Sequence, residues 1–407
     1  MVRPHLEVAD IFRQYGAAYR ATHAVALVPE QRRVMRALEL CRTKELGGHV
    51  AACLDCGHQQ ISYNSCRNRH CPKCQSQESA RWIAERQAEL LPVAYFHVVF
   101  TLPDELSPLA LQNKRVVYNL LFGSVSATLR RIAEDPQHLG AEIGFLAVLH
   151  TWGQQLQLHP HLHCVVPGGG LSPDGQQWKS CRRGFFLPVR VLSRLFRRLF
   201  VEGLEEAFTK QRLSFDGRLA RLAEPAAFAA LLAKLRSKEW VVYAKPPFGS
   251  PVQVLSYLGR YTHRVAISNH RLLKVEAGRV SFLWKDYRRG HQQRVMTLRA
   301  EEFIRRFLLH ILPEGFQRLR YYGLLSNRGG RAKLAQARRL LGGAAPPAEV
   351  PPPDDEEPAE EMSDEAVARC PVCGSQRWRR VEILEPMLYR SFESSLKGEG
   401  VAVLDST

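Results

Sequence analysis

The apolar residues of segment 7–41 fall on two helical stripes. Val8, Ile11, Phe12 and Tyr15 recur at three- and four-residue intervals, as do Val34, Leu38 and Cys41, which predicts two short amphipathic helices. Cysteine-rich loops are expected over 42–74, then a charged helix from Gln75 to Leu91 that stops at Pro92. Beyond it the period changes. Tyr95 to Leu102 is a buried-type strand, a helical pattern follows at about 104–134, and strand-like runs at Ile143–Trp152 and His161–Val166 lead to Gly168-Gly169-Gly170. Helical periodicity returns at 188–210 and 225–237. Trp240–Ala244 reads as a strand, and Pro251 can open a helix near 251–263. Strands are expected near 265–268, 271–276, 279–285 and 292–298, before a helix from Glu301 to Leu312. Hairpins interleaved with helices indicate an α+β chain. Gly342–Ala366 is Pro, Ala and acid, the composition of a solvated linker, and no internal repeat is present.

Composition sharpens this picture. With 407 residues, 45% of them hydrophobic, the chain is long enough for two or three domains. Lys and Arg number 57 against 40 Asp and Glu, a formal charge of +17. Residues 349–365 hold nine acids and no base, so the remainder is more positive still. Such a body is most simply a polyanion binder, because Lys and Arg neutralise phosphates and release condensed counterions; a merely soluble basic surface is the bland alternative. No apolar run of about eighteen residues is available to span a bilayer, and Met1 to Glu7 lacks an apolar signal core, so a cytoplasmic, nucleoid-associated protein is expected.

Ten cysteines in a reducing compartment point to metal rather than disulfides, and six lie between Cys41 and Cys74. Cys53-x2-Cys56 and Cys71-x2-Cys74 are knuckle-type pairs whose separation suits one zinc ion. Cys41, His49, Cys66 and His70 are close enough to supply a second ligand set, though a buried free thiol or a structural imidazole accounts for them equally. A closed tetrahedral site leaves no position for substrate, so its role is to fold a small domain. Arg42, Lys44, Arg67, Arg69 and Lys73 around it suggest that this domain contacts DNA. Cys370-x2-Cys373 has no second pair behind it, which leaves its metal role doubtful.

Two further constellations carry chemistry. If 161–165 is extended, His161 and His163 share one face and Leu162 turns to the core, so the two imidazoles can bind one divalent ion or merely form a polar edge. His150, on the preceding strand-like run, can complete three ligands across a hairpin; His159 is the competitor, though Pro160 beside it suits an entry turn better. Tyr257 and Tyr261 stand at i and i+4 on one helix face, with Arg260 and Arg264 available for phosphate; the competing reading is an aromatic stripe packed on the core.

Taken in order, these motifs resemble a known family. Leu46-Gly47-Gly48-His49, Tyr63-Asn64-Ser65-Cys66-Arg67-Asn68-Arg69-His70-Cys71-Pro72-Lys73-Cys74, His150-Thr151-Trp152-Gly153 with His159-Pro160-His161-Leu162-His163, Tyr257-Leu258-Gly259-Arg260-Tyr261-Thr262-His263-Arg264, Phe303-Ile304-Arg305-Arg306-Phe307 and Tyr322-Gly323-Leu324 make the chain, over about residues 30–330, similar to the HUH-type two-tyrosine rolling-circle transposases of the insertion-sequence ninety-one family. The resemblance implies an α+β HUH nuclease domain with a central antiparallel sheet and flanking helices, preceded by a small zinc-binding domain. It suggests a division into 1–92, helical and zinc-binding; 93–330, nuclease; 331–369, a basic then Pro/acidic linker; and 370–407, a tail with the lone CxxC. His161 and His163 match the family's metal pair, and Tyr257 and Tyr261 its nucleophiles, while His150 remains an inference from hairpin geometry. The implied activity is nicking and rejoining of single-stranded DNA at element ends through a 5′-phosphotyrosine, with Mg2+ or Mn2+ catalytic and Zn2+ structural. The alternatives are a rolling-circle replication initiator or relaxase, and a non-catalytic zinc-containing DNA-binding protein.

Overall fold

The computed structural model describes residues 6–75, 90–182, 184, 186–245, 265–290, 292–326, 329–342 and 369–387. Its chain order begins with α1 (Val8–Thr22) and α2 (Pro29–Leu40), then β1 (Gly48–Cys53) and β2 (Gln59–Tyr63). There follow β3 (Tyr95–Thr101), α3 (Ser107–Gln112), α4 (Lys114–Glu134), β4 (Gly144–Trp152), β5 (Leu158–Pro167), β6 (Gly169–Leu171) and β7 (Trp178–Ser180). Next come α5 (Val189–Thr209), α6 (Pro225–Ser237), β8 (Val242–Lys245), β9 (Leu272–Glu276), β10 (Arg279–Asp286) and β11 (Gln292–Arg299). The described residues close with α7 (Ala300–Leu309), β12 (Leu319–Gly323), α8 (Gly330–Leu340) and β13 (Trp378–Leu384).

The centre is a five-stranded antiparallel sheet in the order β12-β4-β5-β3-β8. Because side chains alternate along each strand, the apolar runs of the sequence give it two unlike faces. Val98, Phe100, Ala147, Leu149, Leu162 and Cys164 enter one core with Leu121 and Val125 of α4, Phe196 and Phe200 of α5 and Leu232 of α6. Phe100 is fully buried and meets Phe196 edge to face at 5.2 Å. Truncation of Phe100 to Ala should cost about 3–5 kcal/mol, read as a lower urea midpoint at unchanged slope. The alternate residues, among them His97, His150, His161 and His163, fall on the other face.

A second core joins parts distant in sequence. Ile11 and Phe12 of α1, with Met35 and Leu38 of α2, pack with Phe282 of β10 and Phe303, Ile304 and Phe307 of α7, so residues on both sides of position 92 share one interior. Just past α7, buried His310 sets Nδ1 3.2 Å from the Thr151 hydroxyl and Nε2 3.1 Å from the Leu156 carbonyl. Burial pushes its pKa down to about 3, against about 6.5 in an unfolded chain. Neutral His310 therefore favours the fold fully above pH 6.5, and that contribution is lost as pH falls toward 3. His310→Gln should make the urea midpoint fall less between pH 7 and pH 5 than it does in the wild type.

Several sequence expectations are corrected. Segment 42–74 is not all loop, since β1 and β2 form a hairpin and β13 pairs with the other edge of β1. The expected linker from 331 begins as α8, whose Leu334 and Ala337 pack on Leu91, Leu171 and Leu324; three small or apolar positions sufficed to seat it. Residues 265–268 are a turn, not a strand. Edge strand β12 ends at Gly323, where φ is +56° and a Cβ would lie 1.9 Å from the Ile143 carbonyl oxygen, so the Tyr322-Gly323-Leu324 motif marks a position only glycine fits. Of the helix expected from Gln75 to Leu91, residues 76–89 lie outside the described residues and 90–91 are not helical; the helix expected near 251–263 and residues 343–368 of the linker also lie outside them. No helix among the described residues is long and apolar enough to cross a membrane.

Candidate metal centre

Strand register brings three histidines together. His150 of β4 is the cross-strand partner of His161 of β5, and His163 opposes Val148 two positions along. Opposed residues share a sheet face, so all three imidazoles stand on the side away from Leu149 and Leu162. One ring nitrogen from each can be chosen so that the three lie within 4.8 Å of one another. His163 is the middle ring, with centroids 4.5 Å from His150 and 4.8 Å from His161. His150 and His163 are buried and His161 is half-buried, and Trp152 stacks on His150 at 4.6 Å. Such a donor set suits a divalent ion with imidazole affinity.

Neighbouring atoms orient two of the rings. Nδ1 of His161 lies 2.7 Å from the His159 carbonyl, and since a carbonyl only accepts, that nitrogen carries the proton. Nδ1 of His163 shares a 2.8 Å hydrogen bond with Nε2 of His97, and the two rings stack with planes 8° apart. In both cases Nε2 is then the candidate ligand atom, which is the arrangement in which an outer partner fixes tautomer and ring angle. Sequence reasoning missed His97. Its signal was a lone imidazole inside the apolar run Tyr95–Leu102, which alternation places on the same face as His161 and His163. His97→Ala should weaken Mn2+ binding by about 10–100-fold with the fold intact, checked by calorimetric titration.

The cysteines assemble otherwise than their spacing suggested. Cys71 and Cys74 join Cys41 and Cys66, not Cys53 and Cys56, with all four sulfurs within 4.8 Å of one another and Cys41 and Cys66 each 3.6 Å from Cys74. Four sulfurs at 2.3 Å from a tetrahedral zinc ion stand about 3.8 Å apart, so the set fits zinc. Cys53 and Cys56 sit at the tip of the β1–β2 hairpin and face Cys370 and Cys373, which β13 carries there. The direction of the hairpin decided this, because β13 docks along β1 and delivers its own knuckle to the same end.

Neither His49 nor His70 belongs to a cysteine cluster. His49 is flanked in the β-sheet by Ser62 and Ile383. Half-buried His70 is pushed well below its ordinary pKa by desolvation and by Arg69, Arg318 and Lys114, so it stays neutral. Arg69, expected at DNA, instead donates to the carbonyls of Phe316 at 2.6 Å and Pro313 at 2.9 Å, which fastens the cysteine-bearing loop to the body. Arg67 is exposed. Tyr257, Tyr261, Arg260 and Arg264 lie outside the described residues.

Comparison with known proteins identifies this assembly. Residues 144–333, which contain the three histidines, match the family described as "Putative transposase", and residues 11–102 match the "Transposase zinc-binding domain". The protein "Putative transposase y4qJ" of Sinorhizobium fredii is 60% identical over 387 residues, 95% of this chain and 97% of that one. The "Transposase for insertion sequence element IS801" of Pseudomonas savastanoi pv. phaseolicola is 29% identical over 295 residues, 71% of this chain and 68% of that one. Among solved structures, a metal-bound conjugative relaxase TrwC in complex with oriT DNA aligns with TM-score 0.24 and 14% identity over 42% of this chain and 71% of that one, too slight a likeness to carry an argument. The chain is a transposase with a zinc-binding N-terminal region. Within that class it belongs to the IS91 family.

Proposed function

We propose that this transposase cuts and rejoins single-stranded DNA at element ends, in rolling-circle transposition, through a phosphotyrosine link made by Tyr257 or Tyr261. The observation that carries the reading is the convergence of His150, His161 and His163 on one sheet face inside the transposase-matched region. When bound there, Mg2+ or Mn2+ supplies positive charge to a non-bridging oxygen of the scissile phosphate, with the imidazoles favouring manganese.

The chain's own groups do the rest. His150, His161 and His163 hold their ligand nitrogens toward one point, with His97 and the His159 carbonyl fixing two of the rings, so little reorganisation remains when DNA arrives. A tyrosine hydroxyl, with an ordinary pKa of about 10, must lose its proton as it attacks. Its oxygen forms a bond to phosphorus, the bond to the 3′ oxygen breaks, and that oxygen takes a proton to leave a free 3′-hydroxyl. The bond energy stays in the 5′-phosphotyrosine, so a 3′-hydroxyl of another strand can reverse the step without ATP. A second tyrosine permits a second cleavage while the first end is still attached. Arg260 and Arg264, next to the tyrosines in sequence, and exposed Arg67 are placed on DNA phosphates by the same reading.

Labelled oligonucleotides of an element end, single-stranded or fully paired, distinguish the substrate. A covalent protein adduct should form in Mn2+ on the single strand, about a hundredfold less on the duplex, and not at all in chelator. Equal adduct on the paired duplex would refute the single-strand assignment.

A further inference from the structure

We infer that Cys53, Cys56, Cys370 and Cys373 form a second structural zinc site, which clasps the C-terminal segment onto the N-terminal hairpin. Neither family match includes Cys370 or Cys373, since they end at residues 102 and 333. The four sulfurs lie within 4.8 Å of one another, with Cys53 3.5 Å from Cys373 and Cys56 3.5 Å from Cys370, close to the separation of about 3.8 Å in a tetrahedral zinc–thiolate centre.

The backbone supplies independent support, because the two knuckles are built alike. In the first, Gly57 N–H donates to the Cys53 carbonyl at 3.0 Å and Cys53 N–H to the His58 carbonyl at 2.8 Å. In the second, Gly374 N–H donates to the Cys370 carbonyl at 2.8 Å and Cys370 N–H to the Ser375 carbonyl at 2.7 Å. Each knuckle leaves through a left-handed glycine, Gly57 at φ 74° and Gly374 at φ 75°. These turns aim amides at sulfur: Asp55 and Cys56 donate to Cys53, His58 to Cys56 and Ser375 to Cys373. Two matching turns, each presenting two sulfurs to the other, make the closed tetrahedral set of a structural zinc site with no position left for substrate.

The consequence is topological. β13 lies along β1 from Gly48↔Leu384 to Cys53↔Trp378, Leu54 N–H donates to the Arg377 carbonyl at 2.9 Å, and Arg377 pairs with Asp55 at 3.0 Å. Few of these residues are buried, with Val381 at 43% and Ile383 at 65% exposure, so strand pairing alone is a weak hold. The ion converts it into a clasp that anchors the chain on the far side of the acidic 349–365 stretch.

Metal analysis of the full chain purified under reducing conditions should find two zinc ions per chain, and the variant Cys370→Ser with Cys373→Ser should find one. A second measurement on the wild type covers the case in which the variant does not fold. Cys56 and Cys373 are exposed, so as free thiols they would react at once with iodoacetamide. Peptide mapping should show both protected at least tenfold, and released by a zinc chelator. The inference is overturned by wild-type protein holding one zinc with Cys56 and Cys373 freely alkylated, by a double variant that keeps two zinc ions, by iron in place of zinc, or by a Cys53–Cys373 disulfide in the reduced preparation.

Discussion

His163→Ala should lower the rate of metal-dependent adduct formation on single-stranded DNA by about a thousandfold or more, while the circular dichroism spectrum and urea midpoint stay close to wild type. His163 is the middle of the three rings, its Nδ1 braced by His97 at 2.8 Å, so its loss removes a ligand and leaves His150 and His161 with centroids 5.6 Å apart. Phosphate charge compensation by a bound ion contributes several kcal/mol to the transition state, and each 1.4 kcal/mol is tenfold in rate. His163 stands on the face of the sheet opposite Phe100, Leu149 and Leu162, which pack against the helices, and this is why the fold should survive. Kinetics of adduct formation across a Mn2+ titration are the readout. Wild-type rates at saturating Mn2+ would remove the histidines from the chemistry.

Tyr257→Phe combined with Tyr261→Phe should reduce the adduct to background, and each single variant should retain part of it. Phenylalanine keeps the ring and loses only the hydroxyl. If the pair were an aromatic stripe packed on a core, the double variant would fold and react as wild type; if the hydroxyls are nucleophiles, it folds and cannot form the bond. DNA binding, followed by fluorescence anisotropy, should change little, which separates loss of chemistry from loss of recognition. Persistence of the adduct in the double variant would assign the nucleophile elsewhere.

Four strands of the central sheet were legible as apolar runs of strand length, whereas edge strand β12, half-buried at every position, carried no such run. His161-Leu162-His163 declared one face for ligands and the other for the core, and His150 followed once a hairpin was assumed. β1 and β2 were illegible for the opposite reason: Gln59-Gln60-Ile61-Ser62-Tyr63 is largely exposed, so no apolar rhythm marks it. The ligand sets of the cysteines were hidden more deeply. Sequence proximity favoured Cys53 and Cys56 with Cys71 and Cys74, whereas the partners of the first knuckle lie more than three hundred residues on and are delivered by β13. Pairing between distant strands is set by tertiary structure, which local spacing does not encode. His97 was visible as an oddity in an apolar run, but only register showed what it supports.

If a tyrosine hydroxyl attacks a phosphate held at the three-histidine site, that tyrosine keeps the nucleotide, and one experiment reads it out directly. Wild-type protein is incubated with a single-stranded element-end oligonucleotide in Mn2+, the DNA is digested to a short stub, and the tryptic peptides are sequenced by mass spectrometry. Trypsin cuts after Arg260, so Tyr257 and Tyr261 fall on different peptides. The expected product is a 5′-linked nucleotide on Tyr257 or Tyr261, present with Mn2+ and absent in chelator. Cleaved DNA with no protein attached, or a nucleotide on any other residue, would contradict it.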